Sequence, residues 1–131
     1  MGLDTVTTAA APKAIGPYAQ AVAGGGLLFL SGQIPLDPAT GEVVCAGDAA
    51  GQTRQVMENL AAVLAARGLG LQHLAKTTIY LQSMGDFGAV NDVYAQALDG
   101  HRPARATVEV ASLPRGVLVE IDGIALLDRQ R

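Results

Sequence analysis

Hydrophobic and polar positions change rhythm along the chain, and each change marks an element. Between Gln20 and Gln33 the run QAVAGGGLLFLSGQ holds two short apolar segments around Gly24, Gly25 and Gly26, which predicts a hairpin turn between two strands. DPATGE, Asp37 to Glu42, is a further turn. The period then lengthens. In DAAGQTRQVMENLAAVLAARG, Val56, Leu60, Val63 and Leu64 recur at helical spacing, with Asp48 placed as N-cap and Gly68 as the C-terminal stop. LAKTTIYLQSM is rich in β-branched and aromatic residues and predicts a strand near Leu74 to Gln82. After Asp86, read as a second N-cap, Phe87, Val90, Tyr94, Ala97 and Leu98 share one face of a helix that Gly100 ends. Strands over Arg105 to Val110 and Val117 to about Leu126, separated by ASLPRG, complete the order β, β, helix, β, helix, β, β.

This order predicts an α+β fold. Two helices of about four turns each cannot cover both faces of such a sheet, so both are expected on one face. The other face then needs a cover, and neighbouring subunits are the simplest one. Composition points the same way: of 131 residues 50% are apolar and 16% charged, a shortage of surface charge that suggests a homo-oligomer of single-domain subunits spanning residues 1–131. The net charge of −3 and the absence of any Lys/Arg-rich run leave no nucleic-acid footprint. Cys45 is the only cysteine, which excludes an internal disulfide and a thiolate cluster and fits a reducing compartment. With no basic start leading into an apolar core, and no apolar stretch long enough to span a bilayer, a soluble cytoplasmic protein is expected.

Candidate chemistry concentrates in the last two strands. Alternation places Arg105, Thr107 and Glu109 on one face of the first, and Leu118, Glu120, Asp122 and Ile124 on one face of the second. Two readings follow. A solvated sheet face could carry an Arg–Glu ion pair of about 0–1 kcal/mol. Alternatively, an interface covers the polar row and leaves a pocket in which Arg105 forks onto a substrate carboxylate and Glu120 positions or deprotonates a water. Other chemistries find little support. His73 and His101 lack HxxxH or HExxH spacing, so no metal site is expected. Ser31 in LSGQ lacks the G-x-S-x-G elbow, AGGGLL lacks the GK[ST] ending of a phosphate loop, and Cys45 has no basic neighbour to activate it. Tyr18, after Pro17, reads equally as packing or as a pocket wall. Asn91 by its local pattern reads as a solvated helix residue.

Four motifs together carry a resemblance: AIGPYAQAV (Ala14 to Val22), LSGQIPLDPATGE (Leu30 to Glu42), PARATVEVASLP (Pro103 to Pro114) and VLVEIDGIA (Val117 to Ala125). With QTRQVMENLAAVL and KTTIYL, nearly the whole chain resembles the RidA family of reactive-intermediate imine and enamine deaminases. The resemblance implies a mixed-sheet α+β fold like that of Bacillus-type chorismate mutase. It also implies a homotrimer with clefts between subunits, and a sheet order in which the last two strands do not form a hairpin. Position by position, Arg105 matches the family's carboxylate-binding arginine, Glu120 its water-activating glutamate and Tyr18 its cleft aromatic. Ser31 and Gly32 match the SG element of the cleft wall, and Asn91 a helix asparagine near the site.

The implied reaction is cofactor-independent hydrolysis of 2-imino acids, formed from enamines such as 2-aminoacrylate, to 2-keto acids and ammonia. Two alternatives stand beside it: a non-catalytic trimer whose arginine cleft senses 2-keto acids or amino acids, and the endoribonuclease or translation-inhibitor activity attributed to some relatives, which the net charge disfavours. Two departures stand out. Thr107 occupies a position where the family frequently has cysteine, and the segment Tyr94 to Pro103 looks short, with Arg102 where phenylalanine commonly precedes the proline.

Overall fold

A computed structural model describes residues 2–127. Six strands form one mixed sheet: β1 (Asp4–Val6), β2 (Ala21–Gly24), β3 (Leu27–Gln33), β4 (Leu74–Leu81), β5 (Ala104–Glu109) and β6 (Val119–Leu126). Two helices, α1 (Ala49–Ala65) and α2 (Phe87–Leu98), follow β3 and β4. The strand order is β1-β2-β3-β6-β4-β5, antiparallel throughout except for the parallel pair β4–β5, which α2 connects. β5 and β6 are therefore not a hairpin, as the resemblance implied: β6 inserts between β3 and β4, and β5 is left at the edge. The expected order also lacked one strand. β1 is three residues long with only Val6 buried, too short to announce itself by alternation.

Both helices lie on one face. Along β6, Val119, Ile121, Gly123 and Ala125 are buried while Glu120, Asp122 and Ile124 are only partly covered. The buried set joins Leu28 and Leu30 of β3, Ile79 and Leu81 of β4, and Val56, Leu60, Val63, Leu64, Val90, Tyr94 and Leu98 of the helices in one core. Leu60 is fully buried, so Leu60→Ala would cost about 2–5 kcal/mol through lost transfer energy and a residual cavity. The opposite face carries Phe29 and Leu126, both exposed.

Local chemistry explains the element ends. Gly25 and Gly26 both adopt left-handed φ, 61° and 81°, the twist a two-residue hairpin requires. The Asp48 side chain accepts from the Gly51 N–H at 3.1 Å and caps α1. At the other end the Gly68 and Leu69 N–H groups bond the carbonyls of Ala65 and Leu64, each at 2.9 Å, with Gly68 at φ 75°. The start of α2 differs from expectation. The Asp86 side chain does not cap it; Ser83 caps a single 3-10 turn, Met84–Asp86, that leads straight into the helix. The helix runs to Leu98 as its apolar face predicted, but its cap is Asp99 in the left-handed region rather than Gly100.

Two buried polar side chains of α1 fix the segments flanking the candidate site. Asn59 Nδ2 donates to the carbonyls of Ile34 and Leu36 at 3.2 and 3.1 Å, tying down the chain after β3. Gln52 Oε1 accepts from the Leu118 N–H at 2.8 Å, just before β6 begins. Each replaces water that these buried backbone groups would otherwise need.

Candidate functional site

Arg105 enters β5 opposite Thr77 of β4, whose side chain is fully buried and shares a 2.6 Å hydrogen bond with the Tyr94 hydroxyl of α2. In a parallel ladder, paired side chains point the same way, so Arg105 lies on the helix face. There Nη1 donates to Asn91 Oδ1 at 2.6 Å, and the guanidinium carbon sits 5.5 Å from the Phe87 ring centre and 5.4 Å from that of Tyr94. One polar and two π contacts hold the fork in place while the residue stays exposed. Among the described residues no carboxylate lies within 4.0 Å of it. Thr107, two residues on, faces the same way; its hydroxyl is buried without a hydrogen-bond partner. The guanidinium borders a hollow of about 460 Å³ against the C-terminal half of α2.

Glu120 sits on the opposite face. It pairs with Tyr80 across β4–β6, whereas the neighbouring pair Ile79 and Ile121 point into the core. The carboxylate is packed against Gly32, where any side chain would overlap it. Burial, and secondly the negative charge of Asp122, raise the Glu120 pKa above the ordinary glutamate value. Asp122 accepts from the Tyr80 hydroxyl at 3.0 Å. The Tyr80 pKa is raised by burial and then by that bond and charge, so the phenol remains a donor.

Gly32 is presented by an irregularity in the β3–β6 ladder between Leu30 and Gln33. Beside it, Ser31 Oγ donates to the Ala19 carbonyl at 2.6 Å, and the Ser31 N–H bonds the Gln20 carbonyl at 3.0 Å. These bonds fix the segment just after Tyr18, a residue that is 53% exposed and borders a hollow of about 800 Å³. Gln20 anchors the segment from within: its amide donates to the carbonyls of Thr8 and Pro12 at 3.0 and 2.8 Å and accepts from the Thr8 N–H at 2.7 Å.

The expected site residues thus fall into two groups. Glu120 packs on Gly32, next to Ser31, whose bonds hold the segment that follows Tyr18; Arg105, Asn91 and Thr107 gather on the other face. Within one chain the groups do not meet, which removes the intramolecular Arg105–Glu120 ion pair as a reading of the polar strands. Residue patterns missed three participants. Phe87 and Tyr94 read as core and Tyr80 bore no local mark; Asp122 was legible beside Glu120, but register alone brings Tyr80 to it. Asn91 read as solvated because its partner is 14 residues away in sequence. His73 Nδ1 accepts from the Gly70 N–H and His101 Nε2 bonds the Leu74 carbonyl, both structural roles. Among the described residues no cluster of three His, Cys, Asp or Glu side chains is arranged to hold a metal ion, and no helix is long and apolar enough to cross a membrane.

Residues 8–127 match the family described as Endoribonuclease L-PSP. Protein DfrA of Myxococcus xanthus is 59% identical over 88% of this chain and 89% of its own length. The mouse 2-iminobutanoate/2-iminopropanoate deaminase is 44% identical over 92% of this chain and 89% of its own. Among solved structures, YyfA of Yersinia pestis, described as a protein of unknown function of the conserved Rid family, superposes with a TM-score of 0.92 at 46% identity, covering 95% of this chain and 99% of that one. The chain belongs to the RidA family, whose members share its two-helix, mixed-sheet α+β fold.

Proposed function

We propose that the protein is a cytoplasmic imine deaminase that hydrolyses 2-imino acids to 2-keto acids and ammonia. Its working unit is a homotrimer assembled like Bacillus-type chorismate mutase, with each active cleft between two copies. The observation that carries this reading is the pre-set Arg105 fork, free of any carboxylate among the described residues, in a chain similar to a named imine deaminase. The separation of Arg105 and Glu120 on opposite sheet faces supports clefts between copies, because only a second chain can bring the two groups onto one substrate. The exposed apolar side chains on the sheet face away from the helices, Phe29 and Leu126, support an assembly that covers that face.

In such a cleft the Arg105 guanidinium holds the substrate carboxylate through paired N–H donors. The protonated imine carbon is already electrophilic, so catalysis needs orientation and a proton acceptor more than covalent help. The Glu120 carboxylate takes a proton from water as its oxygen bonds to the imine carbon, giving a tetrahedral carbinolamine. Glu120 then returns the proton to nitrogen. The C–N bond breaks as the hydroxyl oxygen forms the ketone, the hydroxyl proton is lost, and ammonia leaves. A carboxyl held above its usual pKa suits this exchange, since it retains a proton long enough to return it. Tyr18 walls the cleft, Ser31 and Gly32 fix Tyr18 and Glu120 relative to each other, and Thr107 offers its unpartnered hydroxyl. The reaction consumes water alone and needs no cofactor.

The test is to generate 2-iminopropanoate with an amino-acid oxidase, trap it with semicarbazide, and follow semicarbazone formation with and without the protein. Suppression by wild type that is lost in Arg105→Ala is expected. Retention of wild-type suppression in Arg105→Ala would overturn the assignment of the anchor, and no suppression by intact oligomer would overturn the activity.

A further inference from the structure

The hollow beside Arg105 is larger and more cationic than one carboxylate requires. It measures about 460 Å³ and is lined by Asn91, Tyr94, His101, Arg102 and Arg105, among others, with no Asp or Glu in its wall. In a single chain, before a second copy closes the cleft, a seven-heavy-atom substrate such as 2-iminobutanoate would fill less than half of that space at about 30 Å³ per heavy atom, the share of a water molecule in the liquid. His101 is committed through Nε2 to the Leu74 carbonyl at 2.7 Å, which leaves Arg102 and Arg105 as the permanent positive charges of the hollow. In a chain of net charge −3 that concentration runs against the overall balance.

The two arginines are differently equipped. Arg105 is held by Asn91 and two rings, whereas Arg102 is exposed at the rim, just before Pro103 and the start of β5. Both residues line the hollow, and three residues of chain separate their Cα atoms by at most about 11 Å. That interval, spanned by two long side chains, suits an anion with a carboxylate at each end, whose carboxyl carbons lie about 4–5 Å apart in a four- or five-carbon chain. Two arginines lining one hollow concentrate positive charge there, and a dianion offsets it while filling the spare length.

We infer that Arg102 is a second carboxylate-binding residue, and that the hollow it shares with Arg105 selects 2-imino acids with a distal carboxylate, about four or five carbons long. The inference rests on Arg105 being the anchor for the first carboxylate, as in the proposed function. Replacement of Arg102 by an aromatic residue would remove the second anchor and turn the same hollow toward apolar side chains.

Binding of keto-acid products tests this without requiring turnover. The dissociation constants of 2-oxoglutarate and 2-oxobutanoate are measured by titration calorimetry on the wild-type oligomer, on Arg102→Gln and on Arg102→Lys. Wild type is expected to prefer the dicarboxylate by at least about tenfold, Arg102→Gln to lose that preference, and Arg102→Lys to keep part of it. No preference in wild type, or one that survives Arg102→Gln, would overturn the inference. The semicarbazide assay separates this outcome from the fate of the deaminase reading. Dicarboxylate selectivity without hydrolysis of any imine removes the reaction and leaves the site. Hydrolysis without selectivity leaves the reaction and removes Arg102 from it.

Discussion

The two faces of the sheet treat their charged residue in opposite ways. On the helix face, Arg105 stands on an edge strand, exposed, and is defined by geometry: one 2.6 Å hydrogen bond donated to Asn91 and two aromatic rings fix its plane. On the other face, Glu120 stands on a central strand, half-buried, and is defined by environment: packing against Gly32 and the charge of Asp122 make its ionised form harder to reach. The first is organised for binding, since a fork held in plane loses less side-chain entropy when it closes on a carboxylate. The second is organised for proton exchange, since it is the proton affinity that the surroundings have shifted.

The sharpest way to break this contrast is to remove each charge. Arg105→Ala should lower kcat/KM for 2-iminopropanoate by about a hundredfold or more, the loss of two charge-assisted hydrogen bonds. Glu120→Gln should lower kcat by about a hundredfold, within the range of a lost general base, with a smaller change in KM. Size-exclusion chromatography should show both oligomers intact. Co-refolding the two variants in equal amounts then tests whether the faces belong to different copies. A cleft built from an Arg105 of one chain and a Glu120 of another would be fully wild type in about a quarter of cases, so about a quarter of the activity should return. No recovery would show that one chain supplies both groups.

A milder perturbation is Asn91→Ala, which leaves the charge of Arg105 but frees its plane; KM should rise by about tenfold with little effect on kcat. On the other face, activity should rise with pH along an acid limb whose midpoint lies above the ordinary glutamate value, because the base must be ionised. Asp122→Asn should move that midpoint down while the contribution of burial, the larger cause, remains. The smallest effect is on stability. A carboxyl whose pKa is raised on folding binds its proton more tightly in the native state, so stability falls as pH rises past the unfolded glutamate value. Glu120→Gln should therefore melt slightly higher than wild type at pH 7, and the difference should vanish near pH 4 when followed by calorimetry.

Much of this architecture was legible because it rests on local signals. Gly25–Gly26 declared the hairpin, and Asp48 and Gly68 declared both ends of α1. Where a local signal had a nearby competitor the reading slipped: Asp86 looked like a cap, yet Ser83 starts a 3-10 turn three residues earlier and Asp86 becomes its last residue. The alternation of Arg105 and Glu120 within their strands was readable. Their assignment to opposite faces was not, because it depends on β6 inserting beside β4 and on β5 running parallel, and pairing is a property of distant segments. The bond between Tyr80 and Asp122 stayed hidden for the same reason, its partners being 42 residues apart in sequence.

The placement of Arg105 and Glu120 on opposite faces carries a consequence of mass action. If every cleft draws its anchor from one copy and its base from another, an isolated chain can be folded and still inert. Specific activity then follows the law of association: it stays constant while protein is abundant and collapses on dilution below the dissociation constant of the assembly. The rate per chain becomes a reading of how many chains are present, set by where two residues fall in the pleat of a sheet.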